Sequence, residues 1–227
     1  MQVIAKVLTE IAPLFPDAFF GFGGDETCDW MRSPHIAAWA AARSGTPGFE
    51  ANMSSHAAMY RYFGRRVQAL LPAGKIPAWW NDAVVQNVSS PAGTLYWNWG
   101  AGCTSAKPCP AGDELTGMLQ QGRQVTQSKG WYVGPSETTD IAGDPLRKVF
   151  AGQFCGGNAD SNGGGSWVDF YLQDPARNAT HATAAELRNL IGGEISSWGE
   201  CRSPENFDQL VWPKMSAVGE RLWSSAS

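Results

Sequence analysis

Five apolar, strand-like segments recur along the chain, and segments with a helical pattern separate them. The predicted strands lie at residues 18–24, 75–84, 93–100, 123–133 and 191–200. Strands that alternate with helices at intervals of about 30 to 60 residues favour a parallel sheet with helical crossovers. Each segment ends in polar or aromatic residues, and in a (β/α)8 barrel the chemistry lies at those carboxyl ends. A doubly wound sheet is the alternative, but no glycine-rich phosphate loop follows a predicted strand.

The first helix is predicted from apolar residues at helical spacing between Val3 and Phe15. The others are predicted at residues 33–45, 54–71, 113–121, 182–191 and 212–224. Ser33 is expected to cap the second helix, with Pro34 in its first turn and Gly45 after its end. The N-terminal helix has neither the basic start nor the apolar core of a signal peptide, so we expect that a segment upstream of it is missing. No internal repeat and no clear linker occur in the sequence, which predicts one domain.

The composition restricts the partners of this protein. Its 227 residues carry a formal net charge of −4, so the sequence has no broad basic surface for nucleic acid or for an anionic membrane. The longest apolar stretches are far shorter than a membrane span. Eleven residues are Trp, whose flat faces suit sugar binding, although core packing is the alternative for most of them. We therefore expect a globular protein with no nucleic-acid partner and no membrane span.

The cysteines and the sequons bear on the cellular compartment. Cys103 and Cys109 flank the short segment CTSAKPC, which predicts a local disulfide, and the other three cysteines are Cys28, Cys155 and Cys201. Three N-glycosylation sequons begin at Asn52, Asn87 and Asn178. Together with disulfides, these sequons favour the secretory route of a eukaryote. A metal site is disfavoured, because there are only three His and no paired Cys-x-x-Cys spacing.

Two adjacent carboxylates, Asp25 and Glu26, follow the first predicted strand in the segment FFGFGGDETCDW. They could form a turn in which Asp25 caps the next segment and Glu26 is solvated, or they could bind Mg2+. GGDE also opens the signature of diguanylate cyclases, but there an aromatic residue follows, whereas here Thr27 does. A further interpretation is glycoside hydrolysis, which needs a protonated carboxyl at the glycosidic oxygen. Neighbouring Trp residues could provide the apolar surroundings that raise the pKa of such a carboxyl.

The glycosidase interpretation is favoured by seven motifs that occur in one order along nearly the whole chain. They are FFGFGGDETCDW, AWWNDAV, GTLYWNWG, GWYV, WVDFYLQDP, IGGEISSWGE and VWPKMSAVGERLWSS. In this order they closely resemble the catalytic domain of the β-N-acetylhexosaminidases, glycoside hydrolase family 20. The resemblance implies a (β/α)8 barrel and a retaining, substrate-assisted mechanism that needs no metal or organic cofactor. The nucleophile in that mechanism is the carbonyl oxygen of the substrate's own 2-acetamido group.

The resemblance also implies a role for each matching residue. Glu26 would protonate the leaving oxygen and then activate water. Asp25 would accept a hydrogen bond from the acetamido N–H, and Tyr132 would donate its hydroxyl to the acetamido oxygen. The other residues that match substrate-binding positions are Trp80, Trp99 and Trp198, which would wall the sugar, Glu194, which would bind its outer hydroxyls, and Asp82. For each of the three tryptophans the alternative is core packing.

The chain departs from the family pattern at three positions. Gly21 stands where the family usually has a histidine, Asp82 is a shortened form of the usual acidic residue, and Gly134 replaces a carboxylate in the motif WYLD. These changes bear on sugar specificity and rate, and they leave Asp25 and Glu26 intact.

By the resemblance, the first predicted strand corresponds to the fourth strand of the family's barrel. This implies that the chain, residues 1–227, is the C-terminal part of the catalytic barrel and supplies about its last five strands. Five strands cannot close an eight-stranded barrel, and we expect a second polypeptide to carry the others. Relatives join a cysteine near Cys28 to one in the missing part. With the expected pairs Cys103–Cys109 and Cys155–Cys201, Cys28 would be left over, which predicts a link from Cys28 to that polypeptide.

The expected activity is exo-acting removal of terminal β-linked N-acetylglucosamine or N-acetylgalactosamine from glycans, in a lysosomal, vacuolar or extracellular location. The alternative is a non-catalytic relative that serves as a sugar-binding or structural subunit of a larger assembly. Gly21, Gly134 and the missing strands motivate this alternative, and the trio Asp25, Glu26 and Tyr132 speaks against it.

Overall fold

The computed structural model describes residues 1–100, 114–133, 167–177, 179–198 and 203–224. Five strands run in parallel in one sheet, in the chain order β1 to β5. The strands are β1 (Phe19–Gly21), β2 (Ile76–Trp80), β3 (Leu95–Asn98), β4 (Gln124–Gln127) and β5 (Leu190–Gly193). The predicted parallel α/β sheet of five strands is therefore confirmed.

Nine α-helices and two short 3-10 helices lie in the described parts of the chain. The α-helices are α1 (Gln2–Ile11), α2 (Pro34–Ala41), α3 (His56–Gln68), α4 (Asp82–Val85), α5 (Glu114–Gln120), α6 (Trp167–Leu172), α7 (Ala184–Leu187), α8 (Phe207–Val211) and α9 (Lys214–Trp223). The 3-10 helices are Ala12–Leu14 and Trp30–Arg32. The sequence did not predict α4, α6 or α8, each only four to six residues long and with little periodicity. The strand predicted at 75–84 was wrong at its end, because β2 stops at Trp80 and Asp82 begins α4.

Two predicted helices are shorter in the structure than the sequence pattern suggests. Residues 33–45 form a helix only over α2, and the chain then turns toward Gly45, which has a φ of +72°. Ser33 occupies the N-cap of α2, but its side chain makes no capping hydrogen bond. The helix predicted at 182–191 ends early, because Leu190 already begins β5.

The chain divides into two compact units. Among the described residues, unit 1 holds Met1–Trp97 and Gln121–Gln124, and unit 2 holds Asn98–Gly100, residues 114–120 and the residues from Val125 onward. In unit 1 a buried cluster forms between α2 and α3, with members Ala40, Met53, Ala58 and Met59. In unit 2 a second cluster gathers residues from the loop after β4 and from α6, α8 and α9, namely Trp131, Val133, Phe170, Leu210, Val211, Ala217 and Val218.

The N-terminal part of unit 1 is more exposed than its sequence predicts. The sequence of residues 18–24 predicts a buried strand. In the structure, however, Phe19 and Gly21 of β1 are exposed. On α1, only Leu8 of the apolar face is buried, and Val3 is 77% exposed. The physical reason is that β1 is the first strand in the sheet order, and within the described residues it is hydrogen-bonded to β2 alone.

Candidate active site

The loop that carries Asp25 and Glu26 begins where β1 ends. Gly23 and Gly24 have φ angles of +69° and +90°, a region that residues with a side chain rarely adopt. The backbone N–H of Trp80 donates to the carbonyl of Gly23 at 3.1 Å. A Cβ added to Gly24 would lie 2.6 Å from the Tyr60 hydroxyl and 3.0 Å from the Trp79 ring. The two glycines therefore let the backbone of the carboxylate loop lie directly against β2 and α3.

In unit 1, the charges of two predicted site residues, Asp25 and Asp82, act on the buried phenol of Tyr60. Tyr60 is 3% exposed, and its hydroxyl donates a hydrogen bond to the carbonyl of Gly24. Burial raises the pKa of Tyr60, and the negative charges of Asp82 and Asp25 raise it further. The hydroxyl therefore stays protonated and remains a hydrogen-bond donor. Sequence reasoning did not single out Tyr60, although its place on the apolar face of α3 was the available signal.

Glu26 differs from the expectation of an enclosed acid. The sequence predicts that Trp residues surround this acid. Its side chain is instead exposed, so the described residues of this chain do not enclose it. Its backbone has a φ of +47°, which is uncommon for a residue other than glycine. Such conformations often occur at functional sites, where the surrounding structure stabilises them.

The end of β2 places its two tryptophans on opposite faces of the sheet. Trp79 stacks on Phe22 with ring centroids 4.7 Å apart, on the face that carries Tyr60. Trp80 turns to the other face, where its ring lies 5.4 Å from that of Trp97, its register partner on β3. Trp80 is buried, which is compatible with core packing as well as with a wall of the sugar site. Asp82 is half-buried in the first turn of α4.

In unit 2, Glu194 directly follows β5 and is half-buried. Its backbone N–H donates to the carbonyl of Gln127 at 3.0 Å, and its Oε1 accepts a hydrogen bond from the Ser128 hydroxyl at 2.6 Å. Burial raises the pKa of Glu194, and the hydrogen bond from Ser128 opposes this shift. Sequence reasoning missed Ser128, which is fully buried at the end of β4.

Tyr132 is held beside the chain that follows β5. It forms an isolated parallel bridge with Ser196, supported by hydrogen bonds from Val133 N to Ser196 O at 2.7 Å and from Ser196 N to Trp131 O at 2.9 Å. The tyrosine is half-buried. The structure therefore brings Tyr132 and the segment just after Glu194 together within unit 2.

The remaining predicted residues lie near strand ends or on loops. Trp99 is half-buried just after β3, and Trp198 is 45% exposed. Asn52 and Asn87 are both exposed. Cys28 is also exposed, and within the described residues it forms no disulfide. Cys103, Cys109, Gly134, Cys155, Asn178 and Cys201 lie outside the described residues.

No group of three or more His, Cys, Asp or Glu side chains in the described residues is placed to hold a metal ion. No helix in the same residues is long and apolar enough to cross a membrane.

The decisive comparison is with known protein families. The family profile described as "Glycosyl hydrolase family 20, catalytic domain" matches residues 1–226. The chain belongs to glycosyl hydrolase family 20. The resemblance seen in the sequence motifs is thereby confirmed.

Curated members of the family 20 hexosaminidases are similar along almost the whole chain. Beta-hexosaminidase subunit A1 of Dictyostelium discoideum is 30% identical over 227 residues, which are 99% of this chain and 35% of that protein. Beta-hexosaminidase subunit beta of Homo sapiens is 28% identical over 219 residues, which are 95% of this chain and 32% of that protein. The chain thus spans about a third of the length of these relatives.

Solved structures support the family 20 fold. The beta-N-acetylhexosaminidase from Bacteroides fragilis NCTC 9343 aligns with a TM-score of 0.65 and 18% identity, over 100% of this chain and 40% of that one. The GH20 exo beta-N-acetylglucosaminidase from Vibrio harveyi, in complex with N-acetylglucosamine, aligns with a TM-score of 0.63 and 19% identity. The alignment covers 99% of this chain and 31% of that one. The parallel sheet agrees with part of a family 20 barrel.

Proposed function

We propose that this chain is the part of an exo-acting β-N-acetylhexosaminidase that carries its acid and its acetamido-binding residues. The observation that carries the proposal is the family 20 match over residues 1–226. The pair Asp25–Glu26 supports it by standing on the loop that follows the carboxyl end of β1, the end of the strands where the chemistry of (β/α)8 enzymes is located.

Glu26 is proposed to act first as an acid and then as a base. It donates its proton to the glycosidic oxygen while the bond from that oxygen to the anomeric carbon breaks. The carbonyl oxygen of the 2-acetamido group forms a bond to the anomeric carbon and gives an oxazolinium-type intermediate. Water then attacks the anomeric carbon, the bond to the acetamido oxygen breaks, and Glu26 accepts the proton from water. Two displacements at one carbon retain its configuration.

Asp25 and Tyr132 are proposed to orient the acetamido group. The Asp25 carboxylate accepts a hydrogen bond from the acetamido N–H and stabilises the positive charge on the intermediate. The Tyr132 hydroxyl donates to the acetamido oxygen, and the bridge to Ser196 supports this role because it fixes the backbone of Tyr132. Trp80, Trp99 and Trp198 are proposed to line the sugar, with Glu194 and Asp82 at its hydroxyls.

The substrates are proposed to be glycans that end in β-linked N-acetylglucosamine or N-acetylgalactosamine. A secretory, lysosomal, vacuolar or extracellular location remains a proposal as well, and the exposed sequon residues Asn52 and Asn87 support it. The second polypeptide and its link to Cys28 stay predictions, and the exposure of Cys28 is compatible with such a link.

The test is hydrolysis of a fluorogenic N-acetylglucosaminide by the native protein, purified with any chain that accompanies it. Glu26→Gln should lower kcat by at least about 100-fold, because general acid–base catalysis contributes about that much or more. Asp25→Asn should lower kcat and weaken the binding of a thiazoline mimic of the intermediate. Glu10→Gln, which changes an exposed carboxylate on α1, is the control. Wild-type turnover by Glu26→Gln would exclude Glu26 as the acid.

A second candidate is a non-catalytic sugar-binding or structural subunit. The exposure of Glu26 and the presence of Gly21 favour it over a complete active site in this chain. Such a subunit would bind N-acetylglucosamine or the thiazoline mimic without hydrolysing the fluorogenic probe, whereas the enzyme would do both.

A further inference from the structure

We infer that helix α3 positions the proposed acid through two side chains, Tyr60 and His56, which are positioning residues for the reaction. The inference rests on the proposed function. Its basis is that the two side chains form hydrogen bonds with the carboxylate loop on both sides of Asp25–Glu26. Tyr60 binds Gly24, one residue before the pair, and His56 binds Thr27, one residue after it.

The contact before the pair is partly buried. The Tyr60 hydroxyl donates to the carbonyl of Gly24, and the Tyr60 side chain is 3% exposed. Removing the hydroxyl would take from the half-buried carbonyl of Gly24 the hydrogen bond that α3 supplies. Such a carbonyl would favour a different path for the loop.

The contact after the pair involves both ring nitrogens of His56. The backbone N–H of Trp30 points at Nδ1, 3.4 Å away, and Nε2 lies 3.1 Å from the Thr27 hydroxyl oxygen. Since a backbone N–H can only donate, Nδ1 must accept, and the proton of a neutral ring is then on Nε2. His56 thus binds the loop at two points, as an acceptor and as a donor.

An aromatic cluster fixes the two side chains relative to each other. His56 and Tyr60 are four residues apart on α3, so they lie on the same face of the helix. The Trp30 ring stacks on Tyr60 with centroids 5.9 Å apart and an interplanar angle of 9°. It also meets His56 edge-on at 5.2 Å. One helix face therefore holds both ends of the loop.

The geometry of Glu26 makes this support relevant to the reaction. Glu26 has a φ of +47° and an exposed side chain. No side-chain hydrogen bond to Glu26 occurs in the described parts of the chain, so the backbone that Tyr60 and His56 hold on either side sets the point from which its carboxyl projects. A shift of about 1 Å in a reacting group can cost on the order of 100-fold in rate.

The test combines kinetics with hydrogen exchange on the native protein, purified with any accompanying chain. Tyr60→Phe and His56→Ala should each lower kcat for the fluorogenic N-acetylglucosaminide by on the order of 10-fold or more, with KM changed much less. The same variants should speed amide exchange in the peptide that covers residues 22–31. His56→Gln retains an amide donor and should recover part of kcat.

Two controls separate this role from general destabilisation. Tyr62→Phe removes a hydroxyl from the same helix at a ring that stacks on Phe49, away from the loop. His35→Ala removes an exposed imidazole on α2. Both controls should leave kcat and the exchange of residues 22–31 unchanged.

The outcomes distinguish this inference from the proposed function. An inactive wild-type protein would overturn the proposed function, and the positioning role with it. An active wild type with unchanged kcat in Tyr60→Phe and His56→Ala would overturn the positioning role alone, whether or not loop exchange becomes faster. Equal losses in the variants and in their controls would also overturn it, because they would indicate a structural role only.

Discussion

The indole ring of Trp97 lies directly against the backbone of Gly21. A Cβ added to Gly21 would lie 2.7 Å from Cη2 of that ring, closer than side-chain atoms normally approach. Gly21 pairs with Ala78 on β2, and Trp80 pairs with Trp97 on β3, so the ring on β3 extends across β2 to the backbone of β1. Trp97 therefore leaves little room for a side chain at residue 21.

The first prediction concerns this pair. Gly21→Ala should destabilise the protein by about 1–3 kcal/mol, because an added methyl group forces the ring or the strand to move. In a Trp97→Leu background the same change should cost less, with a coupling energy of about 0.5–3 kcal/mol. Urea denaturation of the two single variants, the double variant and the wild type measures this coupling. Additive effects would show that Trp97 does not limit the size of residue 21.

A second prediction concerns Gly193, the last residue of β5. A Cβ there would lie 2.0 Å from the ring of Trp131, which is fully buried and donates its Nε1–H to the carbonyl of Phe170 at 2.9 Å. Because this ring is fully buried and hydrogen-bonded, Gly193→Ala should cost about 3 kcal/mol or more. Gly219→Ala on α9 is the control, since a Cβ there meets nothing within 4 Å. Equal midpoints of thermal unfolding for the two variants would contradict the prediction.

The third prediction is a pH dependence of stability that arises from Glu194. Burial raises the pKa of this carboxyl above its ordinary value of 4.5, against the opposing hydrogen bond from Ser128. The folded state therefore prefers the protonated form. The associated stability is fully present below the unfolded pKa of about 4.5 and is lost as the pH rises through the folded pKa.

Glu194→Gln removes this titration while keeping an oxygen that can accept from Ser128. The free energy of unfolding of the variant, relative to the wild type, should therefore increase as the pH is raised from 4 to 7. Glu10→Gln, at an exposed site, should show no such trend. A difference between Glu194→Gln and the wild type that stays constant with pH would exclude the raised pKa.

A fourth prediction compares two serines at helix N-caps. Ser55 caps α3, and its side chain accepts a hydrogen bond from the N–H of Ala58 at 3.1 Å. Ser55→Ala should cost about 1 kcal/mol. Ser33 holds the same place on α2 without a capping hydrogen bond, so Ser33→Ala should change the unfolding free energy much less. Equal losses in the two variants would show that the difference in hydrogen bonding has no energetic effect.

The course of the main chain was largely predictable from local patterns. Apolar segments that alternate with helical ones, and the glycines before Asp25, predicted the parallel strands and the turn that follows β1. The motif order predicted the family. These features can be predicted because periodicity and backbone conformation depend on residues close together in the chain. The short helices α4, α6 and α8 were missed, since tertiary contacts rather than periodicity stabilise segments of that length.

The sequence by itself determined the succession of strands and helices along the chain, the family and the position of the carboxylate pair on the loop after the first strand. Only the tertiary structure decided that Tyr60 and His56 bind the loop on both sides of that pair, that Trp97 excludes a side chain at residue 21, and that Glu26 is exposed. The reason is distance along the chain. Tyr60 lies 36 residues from Gly24 and His56 lies 29 from Thr27, and no local pattern encodes which distant side chains meet once the strands and α3 have packed.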